Sequence, residues 1–330
     1  EHGETVESGG EEGRGHTRIL ESTAMHNPLR PQVLPMRDGV SPSCVALPVG
    51  PWATVMDFLA ERLPIVSRAQ WHARMVAGEV VDEFGVPVSP ERPYRHSMRV
   101  FYYRALEQEP RVPFEAQILH QDAHLLVVDK PHFLPVVPTG RYLHETLLVR
   151  LKRQLGIEAL SPLHRLDRDT AGVMLFSVQQ ATRGAYQALF RDRRITKHYE
   201  AVAPWRQDMV LPLTRSSRIE ESPQFFRTQE VEGAANAQTL IELLRVLGDG
   251  AHALYRLEPV SGKRHQLRVH MAALGLPLVH DHFYPVVNDP PEGDYSEPLQ
   301  LLARRIAFVD PLSGEERVFE SRRVLAWAGA

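Results

Sequence analysis

A chain of 330 residues, 43% hydrophobic and 24% charged, has room for one substantial domain and a smaller one, and lies outside the fibrous and wholly disordered classes. Its one cysteine, Cys44, excludes an intramolecular disulfide framework and any paired-cysteine zinc or redox site, which fits a reducing, cytoplasmic compartment. The net charge of −3 is uneven: residues 1–25 hold six Glu against two Arg, so the remainder is close to neutral, and no apolar run reaches the roughly 18 residues of a membrane span.

Residues 1–50, rich in Gly, Glu, Pro and Ser without sustained periodicity, are expected to be disordered or extended. They do not open on methionine; Met25 and Met36 are candidate starts, with the residues before them an added leader. A compact module is expected over 51–105. Apolar periodicity predicts a helix from Val55 to Leu63, Ser67 caps a second helix running through Met75, and Gly78 ends it. Val80, Val81, Val86 and Val88 around Gly85 predict a short hairpin. This order of elements resembles the small two-helix RNA-binding domain named after ribosomal protein S-four. The hairpin carries Glu79, Asp82 and Glu83 where an RNA grip would be basic, so a structural role suits it as well.

A third segment, residues 113–328, alternates strand-like runs with a few helices. Leu125 to Val128 reads as a buried strand closed by Lys130-Pro131, Arg183 to Phe190 as a helix, and Lys197 to Val202 as a strand. Thr239 to Val246 and Ala251 to Leu257 read as a hairpin around Gly248-Asp249-Gly250. Strands without regular βαβ alternation predict an α+β domain. Arg183, Arg191, Arg193, Arg194 and Lys197 form one basic cluster and Lys263, Arg264 and Arg268 another, either solvated faces or a phosphate-binding surface.

The chemistry concentrates in the stretch from His164 to Phe176, a charge-dense loop feeding an apolar strand. It sets the Asp167 carboxylate at the lip of a core, a placement that suits a nucleophile or general base as well as a turn former. The stretch resembles the RluA-type pseudouridine synthase signature HRLDxxTSGxLLF, matching at His164, Arg165, Leu166, Asp167, Thr170, Gly172, Leu175 and Phe176, with Ala171 and Met174 as departures. Asp122 to Pro131 resembles the family's "DxxLLVVNKP", Lys197 to Ala201 its "KxYxA", and Ser261 to His270 its "TGRTHQIRVH", in the family's order. Leu301 to Ala303 and Phe308 to Pro311 fit its closing strands.

That resemblance implies a largely antiparallel mixed sheet with flanking helices and an isomerase that converts uridine in RNA, ribosomal or else transfer RNA, to pseudouridine. It implies Asp167 as the nucleophile on base or sugar, Arg268 as its cationic partner, and Tyr199 against the extruded uracil. His164, Arg165, Leu166, Lys263, Arg264, His265, Gln266 and Leu267 would line the substrate site, with Arg165 filling the space that the extruded base vacates. Lys263 stands where the family has Arg and is the poorer bidentate partner. No cofactor, metal or obligate protein partner is expected, and a monomer is. His280-Asp281-His282 has metal-ligand spacing on a strand but no third ligand, and matches the family's "GDxxY" turn with His280 in place of Gly. The competing readings are a binding-only relative, a metal-dependent hydrolase and a methyltransferase; the last lacks a glycine-rich cofactor loop.

Overall fold

The computed structural model describes residues 34–329 apart from 105, 107, 225, 289 and 292. Most of the N-terminal segment read as disordered or extended therefore lies outside the described residues. The chain divides into two compact units, one of residues 41–104 with 34–35, the other of 105–329 with 36–40.

The first unit comprises β1 (Ser43–Ala46), α1 (Val55–Arg62), α2 (Arg68–Val76), β2 (Val80–Asp82) and β3 (Arg99–Tyr102). Both helices open on a capping box, Thr54 with Asp57 and Ser67 with Gln70, which satisfies N–H groups left over in the first turn. Gly78 takes φ +72 just past α2 and releases the chain into β2. Around the buried Trp71, the helices close over Phe58, Leu59, Val80 and Val100. The valine pattern does turn back through Gly85, where Asp82 N–H donates to the Val86 carbonyl at 2.9 Å. The strand it leads from pairs chiefly with β3, in a sheet ordered β1-β3-β2. Residues 43–46, at the end of the segment read as disordered or extended, are extended and pair antiparallel with β3, from Ser43 opposite Tyr102 to Ala46 opposite Arg99.

The second unit runs β4 (Gln117–Gln121), β5 (Leu125–Lys130), α3 (Leu147–Leu155), β6 (Ser161–Pro162), β7 (Ala171–Ser177), α4 (Gln180–Arg191) and β8 (Ile195–Pro204). It continues with β9 (Leu213–Glu221), β10 (Thr228–Val231), β11 (Ala237–Val246), β12 (His252–Pro259), α5 (Gln266–Ala273), β13 (Leu301–Val309) and β14 (Glu316–Glu320). One sheet takes all eleven strands in the order β10-β9-β11-β12-β8-β13-β7-β5-β4, with β14 added to β13 and β6 to β7. This is the α+β arrangement expected. The strands β5 and β7 are buried on both faces, which is why their sequences are continuous apolar runs. Leu126, Val128, Met174 and Phe176 pack under α3, and Leu125, Val127, Val173 and Leu175 pack under α4.

One pairing sets up the site. Among the described strands only β7 and β13 run parallel, joined at Ala171–Leu302 and Gly172–Ala303. Ala303 is in turn opposite Tyr199 on β8, and Tyr199 opposite Leu257 on β12. The row Gly172, Ala303, Tyr199, Leu257 thus draws the loop preceding β7, the middle of β8 and the end of β12 to one edge of the core. Gly172 is required there. It has φ +115, and a Cβ would lie 2.3 Å from the Ala303 carbonyl oxygen.

Candidate active site

A cleft of about 810 Å³ opens at that edge, walled by the loop 163–167, by β8 and by the stretch 259–268. Every residue expected to act lines it: Asp167, Tyr199 and Arg268, with His164, Arg165, Leu166, Lys263, Arg264, His265, Gln266 and Leu267. Residues more than a hundred positions apart in sequence are therefore gathered into one concavity, though they do different things in it.

The loop carrying Asp167 is pinned from below. Lys130, at the end of β5 and fully buried, donates to the carbonyls of Pro131, Leu134 and Arg168, each at 2.9 Å. Burial pushes its pKa down to about 7, against the pull of Asp169 and Asp167. His132 Nδ1 lies 2.6 Å from the Asp169 carbonyl oxygen, and Thr170 N–H donates back to the Asp167 carbonyl at 3.2 Å. His164 accepts from the Leu175 amide through Nε2 at 3.1 Å and stacks on Phe190. Burial holds it neutral, with a pKa of about 3, so it fastens the start of the loop to β7 while one face borders the cleft.

Asp167 itself keeps 17% of its side chain open. Its Oδ2 is 3.7 Å from Arg268 Nη1 and its Oδ1 is 3.8 Å from His265 Nε2. Burial raises its pKa, but the positive field of His265, Arg268, Arg165 and Arg264 outweighs that and holds the carboxyl below its ordinary value. His265 is pushed down to about 4, chiefly by its own burial, so near neutral pH the arginines supply that field. Burial and the nearby Asp167 both raise the pKa of Tyr199, whose ring bridges the cores on either side of the cleft. Its hydroxyl stays protonated at any working pH.

Arg268 faces Asp167 as expected, but its closer contact is with another carboxylate. Arg268 Nε and Nη2 donate to the two oxygens of Asp281 at 2.8 and 2.6 Å, and only Nη1 faces Asp167. Among the described residues no group of three potential metal ligands occurs. His280 adopts φ +59, the left-handed turn that a glycine would take. Asp281 Oδ1 accepts the Phe283 and Tyr284 amides, and the Tyr284 hydroxyl receives the Thr228 N–H and lies 3.0 Å from His265 Nδ1. Asp281, Tyr284 and Lys130, which hold groups of the cleft from behind, were not among the expected site residues, although the "GDxxY" and "NKP" likenesses contain them.

Other site residues divide between scaffold and rim. Gln266 is buried and ties the stretch together, accepting from Ser261 and the Lys263 amide and donating to Gln238 and Thr239. Leu267 and Leu166 are core residues whose edges reach the cleft. Lys263 and Arg165 are exposed, while Arg264 donates to the Phe226 carbonyl. Lys197 donates to the Ser261 carbonyl and is lowered to about 8 by burial and Arg193.

Residues 124–273 match the family model described as RNA pseudouridylate synthase. The chain is 30% identical over 232 residues to an uncharacterised RNA pseudouridine synthase of Synechocystis, covering 70% of this chain and 79% of that one. It is 32% identical over 224 residues to the dual-specificity RNA pseudouridine synthase RluA of Haemophilus influenzae, covering 66% and 97%. The solved structure of human RNA pseudouridylate synthase domain containing 1 superposes with a TM-score of 0.52 at 23% identity over 66% of this chain and 86% of that one, a likeness of fold.

Proposed function

We propose that this chain, which belongs to the RluA family of RNA pseudouridine synthases, isomerises uridines of ribosomal or transfer RNA with Asp167 as nucleophile on an extruded nucleotide. The observation that carries this is an ionised, partly open carboxylate in a cleft whose other charged walls are arginines and lysines. A carboxylate already ionised at neutral pH needs no cofactor to generate it. The Asp167 carboxylate bonds to the base or the sugar as the bond from uracil nitrogen to ribose breaks, and the base turns while held. The bond to Asp167 is released as carbon 5 joins the ribose, the proton of carbon 5 being lost and the freed nitrogen taking one up.

Tyr199 supports the second half of that sequence. Its ring offers a face for the planar base, and its hydroxyl beside Asp167 can relay the proton leaving carbon 5 by passing its own on. A cleft of about 810 Å³ takes a nucleotide and excludes a stacked helix, so the target leaves its stack. Arg165, exposed on the lip, is placed to fill the vacated position. Arg191, Arg193 and Lys263 on the rim face the phosphates that follow. A single free cysteine suits the cytoplasm, where those RNAs are processed.

Pseudouridine mapping of total RNA from cells with and without the gene, complemented by wild type or by Asp167→Asn, tests this reading. Sites lost on deletion and restored only by wild type are the expected result and identify the RNA. Restoration by both forms would remove Asp167 from the mechanism.

A further inference from the structure

The buried ion pair between Arg268 and Asp281 lies behind the cleft, and nothing in the reaction requires a second carboxylate. Both side chains are almost fully withdrawn from water, 2% and 0% exposed. Such a pair is costly to bury and gains little stability over an apolar replacement, so its retention calls for a role in placing charge.

Its geometry supplies one. Asp281 takes Arg268 by the Nε–Nη2 edge, in a two-point contact that fixes the guanidinium plane. The carboxylate is itself held by the Phe283 and Tyr284 amides at 2.9 and 3.1 Å. The rings of Phe283 and Tyr284 lie 5.0 and 5.4 Å from the guanidinium carbon, which closes further sides of the cation. The nitrogen left over is Nη1. It is buried, has no hydrogen-bond partner, and stands 3.7 Å from Asp167 Oδ2, beyond hydrogen-bond reach.

We propose that Asp281 is a positioning residue that holds Arg268 one short step back from Asp167, presenting Nη1 as an unspent donor to the reacting carboxylate and uridine. Without that hold the guanidinium closes on Asp167 in the same two-point fashion, and the nucleophile is locked in an ion pair. With it, Arg268 keeps Asp167 ionised at a distance and forms its last hydrogen bond only when a nucleotide occupies the cleft. The inference rests on the function proposed above, and turnover by wild type in the same assay tests that function separately.

Asp281→Asn is nearly isosteric and removes the charge. Single-turnover pseudouridylation of a wild-type substrate RNA is expected to slow by about 100-fold, the cost of misplacing a catalytic group by roughly an ångström, at full reaction amplitude and with RNA affinity unchanged. A merely structural role gives instead a reduced amplitude, from inactive molecules, at the wild-type rate. The second comparison is Arg268→Gln against Arg268→Gln/Asp281→Asn, which stays available if the single Asn variant does not fold. Because Asp281 acts through Arg268, the two are expected to turn over at equal rates. An unchanged rate in Asp281→Asn, a loss carried by amplitude alone, or a further slowing in the double variant each overturns the proposal.

Discussion

Replacing Gly172 by alanine tests how the fold brings the Asp167 loop to the cleft. The new Cβ would meet backbone, 2.3 Å from the Ala303 oxygen and 2.7 Å from its nitrogen, so no rotamer change relieves it. To restore van der Waals contact the two parallel strands must part by about 1 Å, which overpacking experiments place at roughly 1–3 kcal/mol. The residue also holds φ +115, where a non-glycine costs about another 1–3 kcal/mol. The sum, about 4 kcal/mol, lowers the melting temperature of a unit this size by roughly 10 °C. Thermal unfolding followed by circular dichroism reads the shift. The same displacement moves Asp167 relative to Tyr199, so turnover is expected to fall even at temperatures where the variant is folded. A melting temperature within about 2 °C of wild type would refute the close-approach argument.

Further outcomes follow from the buried polar groups. Lys130→Met orphans three carbonyls and is expected to lose about 3 kcal/mol of stability in urea unfolding, with a loosened Asp167 loop; a loss under about 1 kcal/mol would mean water replaces the ammonium. Burial holds His132, His164, His265 and His270 at about 4, 3, 4 and 4, below an unfolded value of about 6.5, so their contribution to stability is complete above that pH and lost as pH falls toward the folded values. At pH 5 each costs up to about 2 kcal/mol, and the melting temperature should drop well below its pH 7 value; equal midpoints would contradict neutral burial. Tyr199→Phe keeps the ring and removes the hydroxyl, so RNA affinity should hold while turnover falls; full activity would make the hydroxyl unnecessary.

Much of the second unit was legible because its signals are local. Continuous apolar runs announce β5 and β7, and the Gly248-Asp249-Gly250 turn between β11 and β12 is written in its residues, Asp249 accepting the Ala251 and His252 amides. Ser67 declares its helix in the same way, through a side chain that closes the first turn. What escaped depends on partners distant in sequence. The strand β1 is four residues long, and its pairing partner lies at the far end of its unit, so no periodicity betrays it. Gly172 looked like one more glycine of a signature, and its need appears only with Ala303 beside it. Arg268 does face Asp167 as read, but the closer hold of Asp281 on it went unforeseen, because it comes from a turn whose histidines drew attention toward metal.

The most direct test of the account is single-turnover conversion of a substrate RNA, with tritium release from carbon 5 of uridine as readout, by purified wild type and Asp167→Asn. The account predicts that the asparagine variant binds the RNA within a few-fold of wild type and releases no tritium above background. Turnover by that variant at more than a few per cent of the wild-type rate would contradict Asp167 as the nucleophile.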